Sequence, residues 1–162
     1  MQMQDICLIR IKAEHKKIMF YLRKYNYLMC STKQTISVTS SNHAEILAIH
    51  EVSQECVWLR SLTQHIQETC DRSTDKGNPT TLYEDNAACI AQLKGGYIKG
   101  DRIKHILPKF FFTHDLQKNG EINVLQIRSS ENLADLFTKA LPTSTFKRLV
   151  HQIGMRQFKD LK

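Results

Sequence analysis

Three stretches of the chain have a strand-like pattern, and helical spacing fills the sequence between them. Gln34-Thr35-Ile36-Ser37-Val38-Thr39 alternates and is β-branched, Thr80-Thr81-Leu82-Tyr83-Glu84 follows Pro79 as a β-rich run, and Glu121 to Arg128 alternates around Ile122, Val124, Leu125 and Ile127. Ser40-Ser41-Asn42 supplies an N-cap after the first run, and Asn42 to Glu45 has capping-box spacing. The helix that begins there is expected to reach about Thr69, burying a stripe of Ala44, Ala48, Val52, Cys56 and Leu59. Cys70 to Pro79 reads as a loop. A second helix is expected over Ala87–Leu93, ended by Gly95-Gly96, and a third from Pro108 through Leu116, stopped by Asn119-Gly120. After the last strand, Ser129-Ser130 is expected to cap a helix carrying Glu131 to Lys139, Pro142 to interrupt it, and Phe146 to Ile153 to form a closing helix. Residues 1–30 show no clean period of 2 or 3.6, so a strand and an irregular amphipathic segment both fit there.

The sequence turns on Tyr83-Glu84-Asp85-Asn86, where a strand meets adjacent carboxylates and passes into helix. α/β proteins hold ligand-binding carboxylates at the carboxyl ends of strands in this way. An equally local reading makes Asp85 the cap of the following helix.

Bulk properties narrow the class. The 162 residues suit one domain, and 41% hydrophobic with 24% charged residues is ordinary for a globular protein. No apolar run approaches the ~20 residues of a membrane span, and the N-terminus lacks the pattern of a signal peptide. The five cysteines are widely spaced without Cys-x-x-Cys, which points away from a disulfide framework or zinc site and toward a reducing compartment. His43 and His50 share a helix face and read as a solvated flank. The net charge is +7, but residues 1–30 carry six basic and two acidic side chains, so only +3 belongs to the rest.

Four short words stand in order: Ser40-Ser41-Asn42-His43-Ala44-Glu45, Tyr83-Glu84-Asp85-Asn86, Lys104-His105-Ile106, and Leu133-Ala134-Asp135-Leu136-Phe137-Thr138-Lys139-Ala140-Leu141-Pro142. Together they resemble the ribonuclease H domain of copia-type retrotransposon Pol polyproteins, over roughly Ser31 to Lys162. The resemblance implies an α/β fold, a ribonuclease H-like mixed sheet flanked by helices. It also implies a site in which four carboxylates hold two Mg²⁺ ions that cleave the RNA strand of an RNA–DNA hybrid. Glu45, Asp85 and Asp135 match three of the four as catalytic and metal-binding residues. Each has a local alternative: a capping-box glutamate, an N-cap and an i,i+4 partner for Lys139, respectively. The chemistry suits carboxylates, since Mg²⁺ prefers oxygen ligands and two ions ~3.5–4 Å apart can activate water and stabilise a leaving oxygen.

The family's fourth carboxylate lies on its first strand, within a word like Tyr-Ala-Asp-Ala-Gly-Tyr, and residues 1–30 contain nothing similar. Asp5, the only aspartate there, stands in Met1-Gln2-Met3-Gln4-Asp5-Ile6. Codons for that hexapeptide and the following Cys7, read from the third base, can spell Ala-Asp-Ala-Gly-Tyr-Leu. Residues 1–30 are therefore expected to be a frame-shifted remnant in which unrelated sequence replaces the first strands, and residues 31–162 the ribonuclease H-like domain.

The expected function is that of a catalytically impaired remnant of this nuclease, with Glu84 as the substitute ligand should the chain prove active. The alternative is a non-catalytic nucleic-acid-binding module using a basic run of Lys94, Lys99, Arg102, Lys104 and Lys109, with Asn86 and His105 as further contacts. The implied partners are an RNA–DNA hybrid and the reverse transcriptase portion of the polyprotein, with no membrane and no small-molecule substrate. An intracellular compartment follows from the resemblance, whether cytoplasm, virus-like particle or nucleus.

Overall fold

A computed structural model of the chain describes residues 16–22, 26–32, 40–70, 79–100, 103–133 and 135–153. Among these, two strands, β1 (Lys16–Leu22) and β2 (Asn26–Thr32), pair antiparallel from Lys16↔Thr32 to Leu22↔Asn26. The strand alternative therefore holds for these parts of the N-terminal region, and the boundary expected between residues 30 and 31 falls inside β2. The strand expected over residues 34–39 lies outside the described residues, as does Asp5.

A long helix, α1 (Ser41–Thr69), leads into strand β3 (Thr80–Glu84), then helices α2 (Ala87–Gly95) and α3 (Leu107–Lys118), and strand β4 (Ile122–Gln126). β3 and β4 pair in parallel, Thr80↔Ile122 through Glu84↔Gln126, so α2 and α3 form the crossover between them. The β-branched start of β3 and its alternation place Thr80, Leu82 and Glu84 on the buried side. The described part is thus mixed α/β, with a small parallel sheet packed against helices. No described helix is long and apolar enough to cross a membrane.

Ile46, Ile49 and Val52 of α1 meet Leu82 of β3, Leu93 of α2, Phe110 of α3 and Val124 of β4 in one core. Each such side chain contributes roughly 1.5–3 kcal/mol by leaving water. The expected stripe of α1 is present, with Ala44, Ala48, Val52 and Cys56 buried and Leu59 packed at the margin. Burial there is wider than a stripe, since every residue from His43 to His50 is enclosed. His43 and His50 are consequently 5% and 6% exposed rather than a solvated flank. The His43 ring contacts the loop after α2, and the His50 ring meets Phe112 edge-on at 5.2 Å.

The helix expected from Glu131 to Lys139 is broken. A 3₁₀ turn covers Ser129–Glu131, Asn132 leaves helical geometry with ψ 106°, and the one-turn helix α4 covers only Asp135–Thr138. The buried Asn132 separates the two pieces. The closing helix α5 starts earlier than expected, at Thr143, and runs to Gln152.

Candidate functional site

At the carboxyl end of β3 the cap alternative for Asp85 is not realised. Asn86, not Asp85, caps α2: its side-chain oxygen accepts from the Ala88 and Cys89 N–H groups at 3.0 and 3.2 Å. Glu84 Oε1 accepts from the Asn86 N–H at 2.9 Å and fixes the turn from the other side. Asp85 is left with its side chain pointed across the sheet end, where its Oδ2 accepts from Ser129 Oγ at 2.9 Å. Ser129 follows β4 closely, so this bond ties the carboxyl ends of the two parallel strands together.

The capping-box reading of Glu45 fails for a similar reason. Ser40 is the N-cap of α1, its Oγ accepting from the His43 N–H at 3.2 Å, so Glu45 sits beyond the third helical position. Glu45 is 3% exposed and belongs to the enclosed part of the helix. Asp135 does what its local alternative required, pairing with Lys139 Nζ at 2.6 Å. Its other oxygen, Oδ1, is buried with no hydrogen-bond partner.

Cys89 shows which of these groups share an environment. The thiol is fully enclosed in the first turn of α2, and its pKa is pushed up strongly. Burial is the largest cause, followed by the negative charges of Glu84 and then Glu45. Glu45, Glu84 and Cys89 are all buried, and Asp85 is half-buried. Cys89 was not picked out from the sequence; the inward alternation of positions 80, 82 and 84 is the signal that points to Glu84.

Among the described residues, no three His, Cys, Asp or Glu side chains converge as a group able to hold a metal ion. The donor chemistry of Glu45, Asp85 and Asp135 is right for Mg²⁺, but their placement does not form its coordination set. Asp85 is satisfied by Ser129 and one oxygen of Asp135 by Lys139.

Of the expected nucleic-acid contacts, Asn86 spends its side-chain oxygen on the α2 cap. Lys99 is exposed, its ammonium 5.9 Å from the Tyr97 ring centroid, and its backbone carbonyl accepts from His43. Lys104 and His105 are exposed on the approach to α3, and Lys109 pairs with Glu51 at 3.3 Å. Arg102 lies outside the described residues.

No protein-family model and no solved structure matches the chain. Over 135 residues, 83% of the chain, it is 27% identical to the retrovirus-related Pol polyprotein from transposon RE1 of Arabidopsis thaliana, covering 9% of that protein. It is 30% identical over 122 residues, 75% of the chain, to the truncated transposon Ty1-A Gag-Pol polyprotein of Saccharomyces cerevisiae, covering 10% of it. The transposon Ty1-NL2 Gag-Pol polyprotein of the same yeast matches equally, with 7% of its length covered. The chain therefore spans about a tenth or less of the length of these relatives. Its homologues are transposon Pol polyproteins of the Ty1/copia kind.

Proposed function

We propose that this chain is a remnant of the ribonuclease H domain of a copia-type Pol polyprotein and that its hybrid-cleaving activity is impaired. The observation that carries the descent is Asp85. It stands at the carboxyl end of β3, leaves the cap of α2 to Asn86, and is bonded to the segment after the parallel neighbour β4. That is where an α/β fold presents a functional carboxylate. Buried Glu45 and Asp135, on helices before and after this pair, support the same reading, as does the similarity to Pol polyproteins.

Impairment follows from the ligand count and the placement. Three matching carboxylates give one fewer negative charge than two Mg²⁺ ions need, and a misplacement of ~1 Å can cost about 10²-fold in rate. The purified 162-residue chain is expected to show no detectable Mg²⁺-dependent cleavage of an RNA–DNA hybrid. A chain whose residues 1–30 are replaced by the shifted-frame sequence, restoring Ala-Asp-Ala-Gly-Tyr, should cleave the RNA strand only, and Asp85→Asn should abolish that activity. Cleavage by the unrestored chain that stops on Asp85→Asn would overturn the impairment and make Glu84 the first candidate for the missing ligand.

The second reading, a non-catalytic binder, is favoured by the exposed Lys94, Lys99 and Lys104. Hybrid binding that weakens steeply with salt, without cleavage, is its signature. In either reading the partners are an RNA–DNA hybrid and the reverse transcriptase portion of the polyprotein, in a reducing intracellular compartment.

A further inference from the structure

Two histidines flank the segment that leaves α2, one bonded to the last turn of that helix and the other to the Lys99 carbonyl beyond it. His114 Nδ1 lies 2.8 Å from the Leu93 carbonyl oxygen, and His43 Nε2 lies 3.0 Å from the Lys99 carbonyl oxygen. A carbonyl only accepts, so each of these ring nitrogens carries its proton and donates. The two rings thus require opposite placements, Nδ1–H at His114 and Nε2–H at His43. Each ring also lies against a glycine of positive φ. A Cβ on Gly96 (φ 67°) would stand 3.1 Å from His114 Cε1 and Nε2, and one on Gly100 (φ 138°) would stand 2.8 and 2.9 Å from His43 Cε1 and Nε2. Both glycines are needed, for the backbone conformation and for the close approach of an imidazole.

Between these two points the loop turns Ile98 toward the core and leaves Tyr97 53% exposed, beside Lys99. Tyr97 folds back over Gly95, where a Cβ would come within 2.7 Å of its ring, so the tyrosine is placed as well. The outward face of this segment therefore carries an aromatic ring placed by its packing and, beside it, a cation on a backbone held by His43. An aromatic ring packs on sugars or bases and an ammonium neutralises a phosphate, which is the pairing that binds nucleic-acid strands.

We infer that His43 and His114 are positioning residues that pre-form the Gly95–Gly100 loop, so that Tyr97 and Lys99 meet the sugar–phosphate backbone of the hybrid. This rests on the nucleic-acid reading above and adds to it Tyr97 as a contact and two histidines that touch no ligand. A loop held before binding avoids the ordering cost that a free loop incurs on association, and its release weakens affinity without removing any contact.

The test uses the full chain and a synthetic RNA–DNA hybrid. Imidazole ¹⁵N spectra should show opposite tautomers at the two rings; one shared tautomer, or exchange between both, would overturn the double attachment. In the His43→Leu/His114→Leu variant, amides of Tyr97–Gly100 should exchange about tenfold faster with core amides of α1 and β3 unchanged. Its affinity for the hybrid should drop about five- to tenfold. His43→Gln and His114→Asn, which keep a donor at the bonded position, should restore both. Gly100→Ala, which keeps both histidines in the sequence but drives a methyl group into the His43 ring and displaces it, is the second probe should the leucine variant not fold. It should loosen the same amides. Unchanged exchange in these variants, or loosened amides with unchanged affinity, overturns the inference while the parent chain still binds. A parent that binds no hybrid overturns the nucleic-acid reading itself and the contact role with it.

Discussion

The two halves of α1 are one continuous helix in two environments. From His43 to Cys56 its side chains are mostly enclosed, and from Val57 to Thr69 none is fully buried. The helix is 29 residues long, roughly 43 Å at 1.5 Å per residue, longer than the small sheet it packs on. Arg60 makes a late attachment, donating to the Glu121 carbonyl at 2.9 Å near the start of β4. Farther on, Leu62 and Ile66 are 40% and 52% exposed, continuing a face begun by Trp58. Both halves have helical spacing of apolar residues, but only the first is core. Glu45 lies in the enclosed half, so tertiary packing and not helix propensity fixes its surroundings.

Isoleucine occurs in both halves and makes the largest test. Ile46 is 0% exposed and Ile66 is 52% exposed. Ile46→Ala leaves a cavity in the core and is expected to cost about 2–5 kcal/mol of unfolding free energy. Ile66→Ala is expected to stay within about 0.5 kcal/mol, as surface changes do. Denaturant titration of the two variants measures both, and equal losses would show that the distal half is covered in solution.

The isoleucine pair also indicates what the sequence could and could not supply. β3 was legible to the residue because Thr80-Thr81-Leu82-Tyr83 is β-rich and Pro79 starts it, and α1 was legible because the polar run Ser40-Ser41-Asn42 and the period that follows are local signals. The allocation of caps was not: Ser40 rather than Asn42, and Asn86 rather than Asp85, are selected by backbone geometry at each helix start. Burial of His43 depends on a loop 56 residues away, and no window of sequence contains both. The broken helix after β4 was missed because Glu131 to Lys139 has helical composition, while the enclosure of Asn132 and Asp135 is tertiary. Around the end of β3, Glu84 and Asp85 stand out as adjacent carboxylates in the sequence, whereas the enclosure of Cys89 and Glu45 is tertiary and has no local signal.

Cysteine gives the next largest contrast. Cys56, the last enclosed residue of the first half, has its pKa raised from 9.0 to about 12, chiefly by burial, with Arg60 opposing and Glu55 adding. Cys70, at the C-cap, is exposed. A thiol whose folded pKa lies above its unfolded value binds its proton more tightly when folded. The stability this gives is fully present below pH 9.0 and is lost as pH rises through about 12. Unfolding free energy should fall by about 1.4 kcal/mol per pH unit in that window from Cys56 alone. Buried Cys89 acts with the same sign. With Cys7 and Cys30 changed to serine, a thiol reagent at pH 8 should modify Cys70 quickly and the buried pair only after denaturant is added. Rapid modification of Cys56 in the native state would break the contrast.

The smallest effect separates the halves by sign. Ser53 and Ser61 each donate a hydroxyl hydrogen to the carbonyl four residues back, at 2.7 Å to Ile49 and 3.0 Å to Val57. Ser53 is 0% exposed, and Ser61 faces water. Alanine is the better helix former by a few tenths of a kcal/mol in both places. At Ser61 the lost hydrogen bond is exchanged for water, so Ser61→Ala should stabilise by roughly 0.3–0.5 kcal/mol. At Ser53 water cannot replace the bond, worth about 1 kcal/mol net, so the propensity gain offsets only part of it. Ile49's carbonyl keeps its helical N–H partner, so no buried acceptor is stranded and the loss stays small. Ser53→Ala should therefore destabilise by a few tenths to about 1 kcal/mol. Thermal unfolding of the two variants at neutral pH, below the thiol window, should move Tm down for Ser53→Ala and up for Ser61→Ala. Shifts of the same sign would mean that water reaches the enclosed half of α1, and with it the surroundings of Glu45.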